Sequence, residues 1–224
     1  APAVYFTADV SGPVTFTSGT VVDSAIGSGI RFNGDVSSAI SLKNVASSGS
    51  GANTKALGFG TLTGATIDVE GGTYSAALGI YVTSTFDADS TISIRGASIA
   101  SASPCLYFVG TYLGSLTTAG VNATAVNIAV QFAQVMAGTV SLGGSFTATG
   151  ASSPTVYFAA DVTGPVGIAI GSSVTGVGSA VRFNGDVSSA ITVSNAALSS
   201  TGGQGLGFTT LSTGASIAVN GGSI

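Results

Sequence analysis

One feature constrains this chain more than any other: it repeats itself. Ten consecutive residues, Arg31-Phe-Asn-Gly-Asp-Val-Ser-Ser-Ala-Ile40, recur unchanged as Arg182 to Ile191, an offset of 151 residues. Val4-Tyr5-Phe6 recurs as Val156-Tyr157-Phe158, and Gly64 to Val69 recurs in near-identical form as Gly214 to Val219. The offsets there are 152 and 150, so only small loop changes separate the copies. A duplication of this kind decides the architecture before any local propensity does.

A shorter unit is nested inside the long one. An apolar–variable–aromatic triplet opens at Val4, Ile30, Leu57, Ile80, Leu106, Val130, Val156, Val181 and Leu206, with Val82 standing in for the aromatic residue once. Successive spacings are 26, 27, 23, 26, 24, 26, 25 and 25 residues. After each triplet comes a short step to an apolar residue, as at Val10, Val36, Leu62, Phe86, Val162, Val187 and Leu211. A second alternating run follows, such as Val14-Thr-Phe16, Ile40-Ser-Leu42 or Ile67-Asp-Val69, and then a Gly- or Asn-bearing corner and a third apolar element. The fifth unit, around Leu113 to Val121, fits this grammar least well.

Alternation with period two means strands with one buried face, and the Gly, Asn, Asp and Ser clusters mark turns. The predicted fold is therefore all-β: a parallel β-helix of about nine coils, roughly 25 residues and three short strands per coil, with essentially no α-helix. At about 4.8 Å per coil the rod is roughly 40 Å long. Residues 1–152 form a six-coil unit and 153–224 the first three coils of a second copy, within one elongated body. The chain opens on a coil and stops inside one, which reads as an excerpt of a longer array. The other expectation is a protomer that stacks end to end or packs laterally with itself.

Composition narrows the function classes. Charged residues make up 6% of the chain, against about 25% in ordinary soluble domains, so surface polarity falls to Ser, Thr, Asn and the backbone. Five Lys and Arg against nine Asp and Glu, with no basic cluster, argue against a nucleic-acid partner. There is no run of about 18 apolar residues and hence no transmembrane helix in this stretch. Histidine is absent, which removes histidine-based acid–base and nucleophilic catalysis and most zinc sites. The single cysteine, Cys105, reads as a core residue at a strand start, with intermolecular pairing as the lesser alternative.

The coil length and pattern resemble right-handed parallel β-helix proteins of the pectin-lyase-like class, and the composition is similar to that of β-helical surface-fibre and adhesin proteins. The first resemblance implies a search for a groove in which several carboxylates meet Arg, Lys or His. Asp9 and Asp35 occupy one position in adjacent coils, as do Asp161 and Asp186. Stacking would set each pair about 5 Å apart, close enough to attract a cation such as Ca2+. Asp87 and Asp89 form an Asp-x-Asp loop, one coil after Asp68 and Glu70. The preferred reading of these residues is a turn cap, so catalytic, cofactor and metal sites are all expected to be absent and the six aspartates stay weak metal candidates.

Two outward columns complete the picture. The first strands present Tyr5, Arg31, Gly58, Tyr81, Tyr107, Gln131, Tyr157, Arg182 and Gly207, in which Tyr5, Tyr81, Tyr107 and Tyr157 form a candidate contact ladder for sugar rings or a neighbouring rod. The second strands present Thr15, Ser41, Asp68, Ser93, Thr117, Ser141, Gly167, Thr192 and Ala218, a hydroxyl column that resembles ice-binding β-solenoids but is interrupted three times. Asn122-Ala123-Thr124 is an N-glycosylation acceptor pattern that falls in the irregular fifth coil, where a loop is expected. The expected function is a non-enzymatic structural protein: a stiff, repetitive segment of an extracellular or cell-surface filament, appendage or adhesin stalk. The alternatives are a carbohydrate-binding or polysaccharide-cleaving β-helix and, further off, an ice-binding one.

Overall fold

Each aromatic triplet opens a strand, and the strands stack coil upon coil. The computed structural model describes residues 1–150 and 152–224 as a parallel β-solenoid of nine coils, with no helix among them. A first ladder runs unbroken through all nine coils from Val4–Phe6 to Leu206–Leu211. A second ladder begins at Val14–Phe16 and a third at Val21–Ser24, and the long strand Ala190–Ser200 belongs to both. Between the first and second ladders, single bridges link Val10, Val36, Leu62, Phe86, Tyr112, Met136, Val162 and Val187. The apolar step of the sequence is thus a fourth line of contact, and Tyr112 and Met136 supply it in the two coils where the pattern is obscure.

The register agrees with the period-two reading at every coil. Tyr5, Arg31, Gly58, Tyr81, Tyr107, Gln131, Tyr157, Arg182 and Gly207 are successive partners on the first ladder. Their neighbours point inward and form the core. Phe6, Phe32 and Phe59 stack with ring centres 4.5 and 5.2 Å apart, and Phe108, Phe132, Phe158, Phe183 and Phe208 stack at 4.6 to 5.0 Å. These spacings follow from the strand repeat itself. The column breaks at Val82; Phe86, in the same coil, packs on Tyr112 at 4.6 Å.

The corner between the second and third ladders demands a left-handed backbone. Asn44, Gly71, Gly96, Gly120, Asn195 and Gly221 hold it with φ between 44° and 75°, a region open chiefly to Gly and Asn. Gly71 and Gly221 have a second reason to lack a side chain, because a Cβ there would run into the Asn44 and Asn195 amides.

The fifth coil is regular after all: Ser115–Ala119 and Val121–Ala125 pair in register with both neighbours. Its pattern is hard to read because Thr118 occupies an inward position where the previous coil has Ile94. The buried Thr118 hydroxyl is satisfied by donating to the Gly143 carbonyl (3.1 Å) and accepting from the Gly143 amide (2.8 Å). Asn122 accordingly lies exposed in mid-strand rather than on the expected loop.

Candidate functional site

The outward column of the first ladder gathers most of the chain's distinctive surface chemistry. Tyr81 and Tyr107, in consecutive coils, meet edge to face with centres 5.2 Å apart. The Lys55 ammonium lies 4.9 Å from the centre of the Tyr81 ring, within cation–π range. Burial and the neighbouring Arg31 charge push the Lys55 amine below its ordinary value. Burial, with the adjacent Tyr107, pushes the Tyr81 phenol up against the opposing pull of Arg31. Sequence alternation missed Lys55 as a member of this face. It sits at the start of Lys55–Phe59, three residues before Gly58, and reaches the ladder by the length of its side chain.

Arg31 and Arg182 each lie along the face below a glycine of the following coil. A Cβ at Gly58 would contact the Arg31 stem at 3.8 Å, and one at Gly207 would come within 3.3 Å of the Arg182 side chain. Arg31 donates to Asn33 Oδ1 (3.1 Å), whereas Arg182 donates to Gln204 Oε1 (3.3 Å) and Thr209 Oγ1 (3.0 Å). Beside Arg182 a shallow cleft of about 420 Å3 is lined by Tyr157, Asn184, Ser179, Pro154 and Ile128, and no carboxylate faces it.

The aspartates serve a different purpose. Asp9 and Asp161 do not cap their own turns; each Oδ1 accepts the backbone amide of the aspartate one coil on, Asp35 at 2.8 Å and Asp186 at 2.9 Å. Asp35 accepts from Thr63 Oγ1 at 3.0 Å, and Asp186 accepts from the Ser212 hydroxyl. Asp87 does both jobs: it takes the Ser90 hydroxyl within its own turn (2.5 Å) and the Gly64 amide of the preceding coil (3.0 Å). Burial raises its pKa, but these donors outweigh that and hold the carboxyl below its ordinary value. Asp89 stands exposed in the turn. Asp68 and Glu70 pair across coils with Arg95 (2.7 Å) and Lys43 (3.5 Å). Among the described residues no three carboxylate or thiol groups converge as a metal site needs.

Cys105 is fully buried just ahead of the Leu106–Phe108 strand, accepting from Ser101 Oγ (3.3 Å) and donating toward the Thr124 carbonyl (3.2 Å). Burial pushes its thiol up to about 11, so it is inert at neutral pH. Asn122 stands exposed on the third ladder between Ser98 and Ser145. The second-strand hydroxyl column is in register through all nine coils, with Asp68, Gly167 and Ala218 interrupting it. No helix among the described residues is long and apolar enough to cross a membrane. No protein-family model matches the chain, and no curated protein and no solved structure matches it.

Proposed function

We propose that this chain is a structural segment of an extracellular β-helical fibre, surface appendage or adhesin stalk, acting as a stiff rod and not as an enzyme. The observation that carries the reading is the unbroken register of the first ladder through nine coils, coupled to a six-coil sequence repeat. Stability in such an array is a sum over coils and their interfaces, so length is gained without a new core. The six-coil repeat returns the same surface pattern about every 29 Å along the axis. A hydroxyl-rich, charge-poor exterior and a buried thiol suit a long-lived assembly outside the cell.

Negative-stain electron microscopy of the material isolated from its source tests this. Uniform fibres thinner than about 50 Å, a width set by one coil with its side chains, together with antibody labelling of unbroken cells, are the expected result. Discrete globular particles, or label reaching its target only after lysis, would overturn the reading.

A further inference from the structure

The five cationic side chains divide into two groups. Lys43 and Arg95, on the second ladder, are neutralised by Glu70 and Asp68. Arg31, Lys55 and Arg182 stand on the first-ladder face and, among the described residues, have no carboxylate within ion-pair distance. Their partners are an amide, a ring, and an amide with a hydroxyl. The same column carries Tyr5, Tyr81, Tyr107 and Tyr157, which leave ring surface open to solvent. The stems of Arg31 and Lys55 both border Gly58, and the two like charges on this face repel one another. An anion placed between them would relieve that repulsion.

We propose that this face binds an acidic polysaccharide, its carboxylate or sulfate groups resting on Arg31, Lys55 and Arg182 and its sugar rings against Tyr81, Tyr107 and Tyr157. A polymer fits because the groups are spread along the axis: Arg31 and Arg182 are six coils, about 29 Å, apart. Guanidinium groups match planar oxyanions with two parallel hydrogen bonds, and tyrosine rings offer flat apolar surface with a polar rim. The acidic corners of a second copy are poorer partners, because Asp9, Asp35, Asp87, Asp161 and Asp186 already accept hydrogen bonds between or within coils. The chain's net charge of −4 opposes a polyanion at long range. At about 0.15 M salt that field is screened beyond about 8 Å, and the local cations decide.

The test is calorimetric titration of the 224-residue chain at that salt concentration with a uronate homopolymer, with dextran sulfate and with neutral dextran. Binding of either acidic polymer but not of dextran is expected, and the preferred polymer shows which oxyanion the face takes. The double variant Arg31→Gln/Arg182→Gln should bind about tenfold more weakly or worse, with its melting temperature unchanged. Lys43→Gln/Arg95→Gln, which removes the neutralised cations instead, should bind as the parent does. Equal binding of dextran, no binding of either acidic polymer, or equal losses in both double variants would overturn the proposal. So would sedimentation showing that the parent self-associates without polymer and that Arg31→Gln/Arg182→Gln abolishes it, since the occupant would then be a second copy.

Discussion

The ten residues from Arg31 to Ile40 and the ten from Arg182 to Ile191 are identical, yet they pair differently with the coil above. In the first copy the strand stops at Phe32, the chain turns, and a single bridge at Val36 marks the next contact. In the second copy one strand runs from Val181 through Val187, with a register shift between Phe183 and Asp186. The coil below is not the cause. Gly34 packs on the Ala8 carbonyl and Asp9 amide, and Gly185 packs in the same way on Ala160 and Asp161. The coil above differs. Gly60, against which a Cβ would come within 2.7 Å of the Asn33 and Gly34 carbonyls, is replaced by Thr209. A threonine side chain at Gly60 would run into those carbonyls, and in the second copy, where Thr209 stands, the pairing continues across the corner to Asp186 and Thr210. In a solenoid the coil stacked above can decide how an identical segment pairs.

The largest expected effect probes what the copies share. Phe32 lies between Phe6 and Phe59, and Phe183 lies between Phe158 and Phe208, with nearly equal ring spacings. Phe32→Ala and Phe183→Ala should each cost about 3–5 kcal/mol in equilibrium denaturation. Because the two sites are far apart, the losses should add in the double variant. A much smaller loss at one site would mean that the copies are not equivalent in the core, and the comparison would have to be redrawn.

Next in size is the exchange at the corner itself. Gly60→Thr should cost about 1–3 kcal/mol through overpacking and should convert the Asn33–Asp35 turn into extended backbone, visible as strand-like chemical shifts. The reverse change, Thr209→Gly, should let Asn184 and Gly185 turn as their counterparts do. If Gly60→Thr leaves both the shifts and the melting temperature unchanged, the upper coil does not set the corner.

Most of the fold was legible because period-two alternation and a 25-residue spacing leave few alternatives. The tyrosines show where legibility ends. Four of the six occupy the outward column, but Tyr74 points inward above Ser47, and Tyr112 fills the bridge position between Phe86 and Met136, its ring against Phe86 and Phe132. Both are buried with no partner for the hydroxyl among the described residues. Volume bears on both: small Ser47 lies beneath Tyr74, and the Tyr112 ring packs among Phe86, Phe108 and Phe132. Alternation within a coil carries no information about the volumes stacked above and below. The candidate site was half legible for the same kind of reason. The column could be counted, but the reach of Lys55 from the strand edge and the partners of each arginine depend on the following coil.

The smallest expected effects concern those partners. Gln204 stands where the first copy has Lys55, which is why Arg182 finds an amide above it and Arg31 turns to Asn33. Lys55→Gln should draw Arg31 onto the introduced amide while changing stability by no more than about 0.5 kcal/mol. Lys55 also makes the first copy titrate differently. Burial and Arg31 hold its amine below the ordinary 10.5, so between the folded value and 10.5 the unfolded chain binds more protons than the folded one. Stability from this group therefore rises as pH increases through that window and levels off above it. Arg31→Gln removes the like charge, so the Lys55 titration followed by NMR should move up toward 10.5 and the window should narrow. An unmoved titration would mean that burial alone depresses the amine and that Arg31 and Lys55 do not share a field on this face.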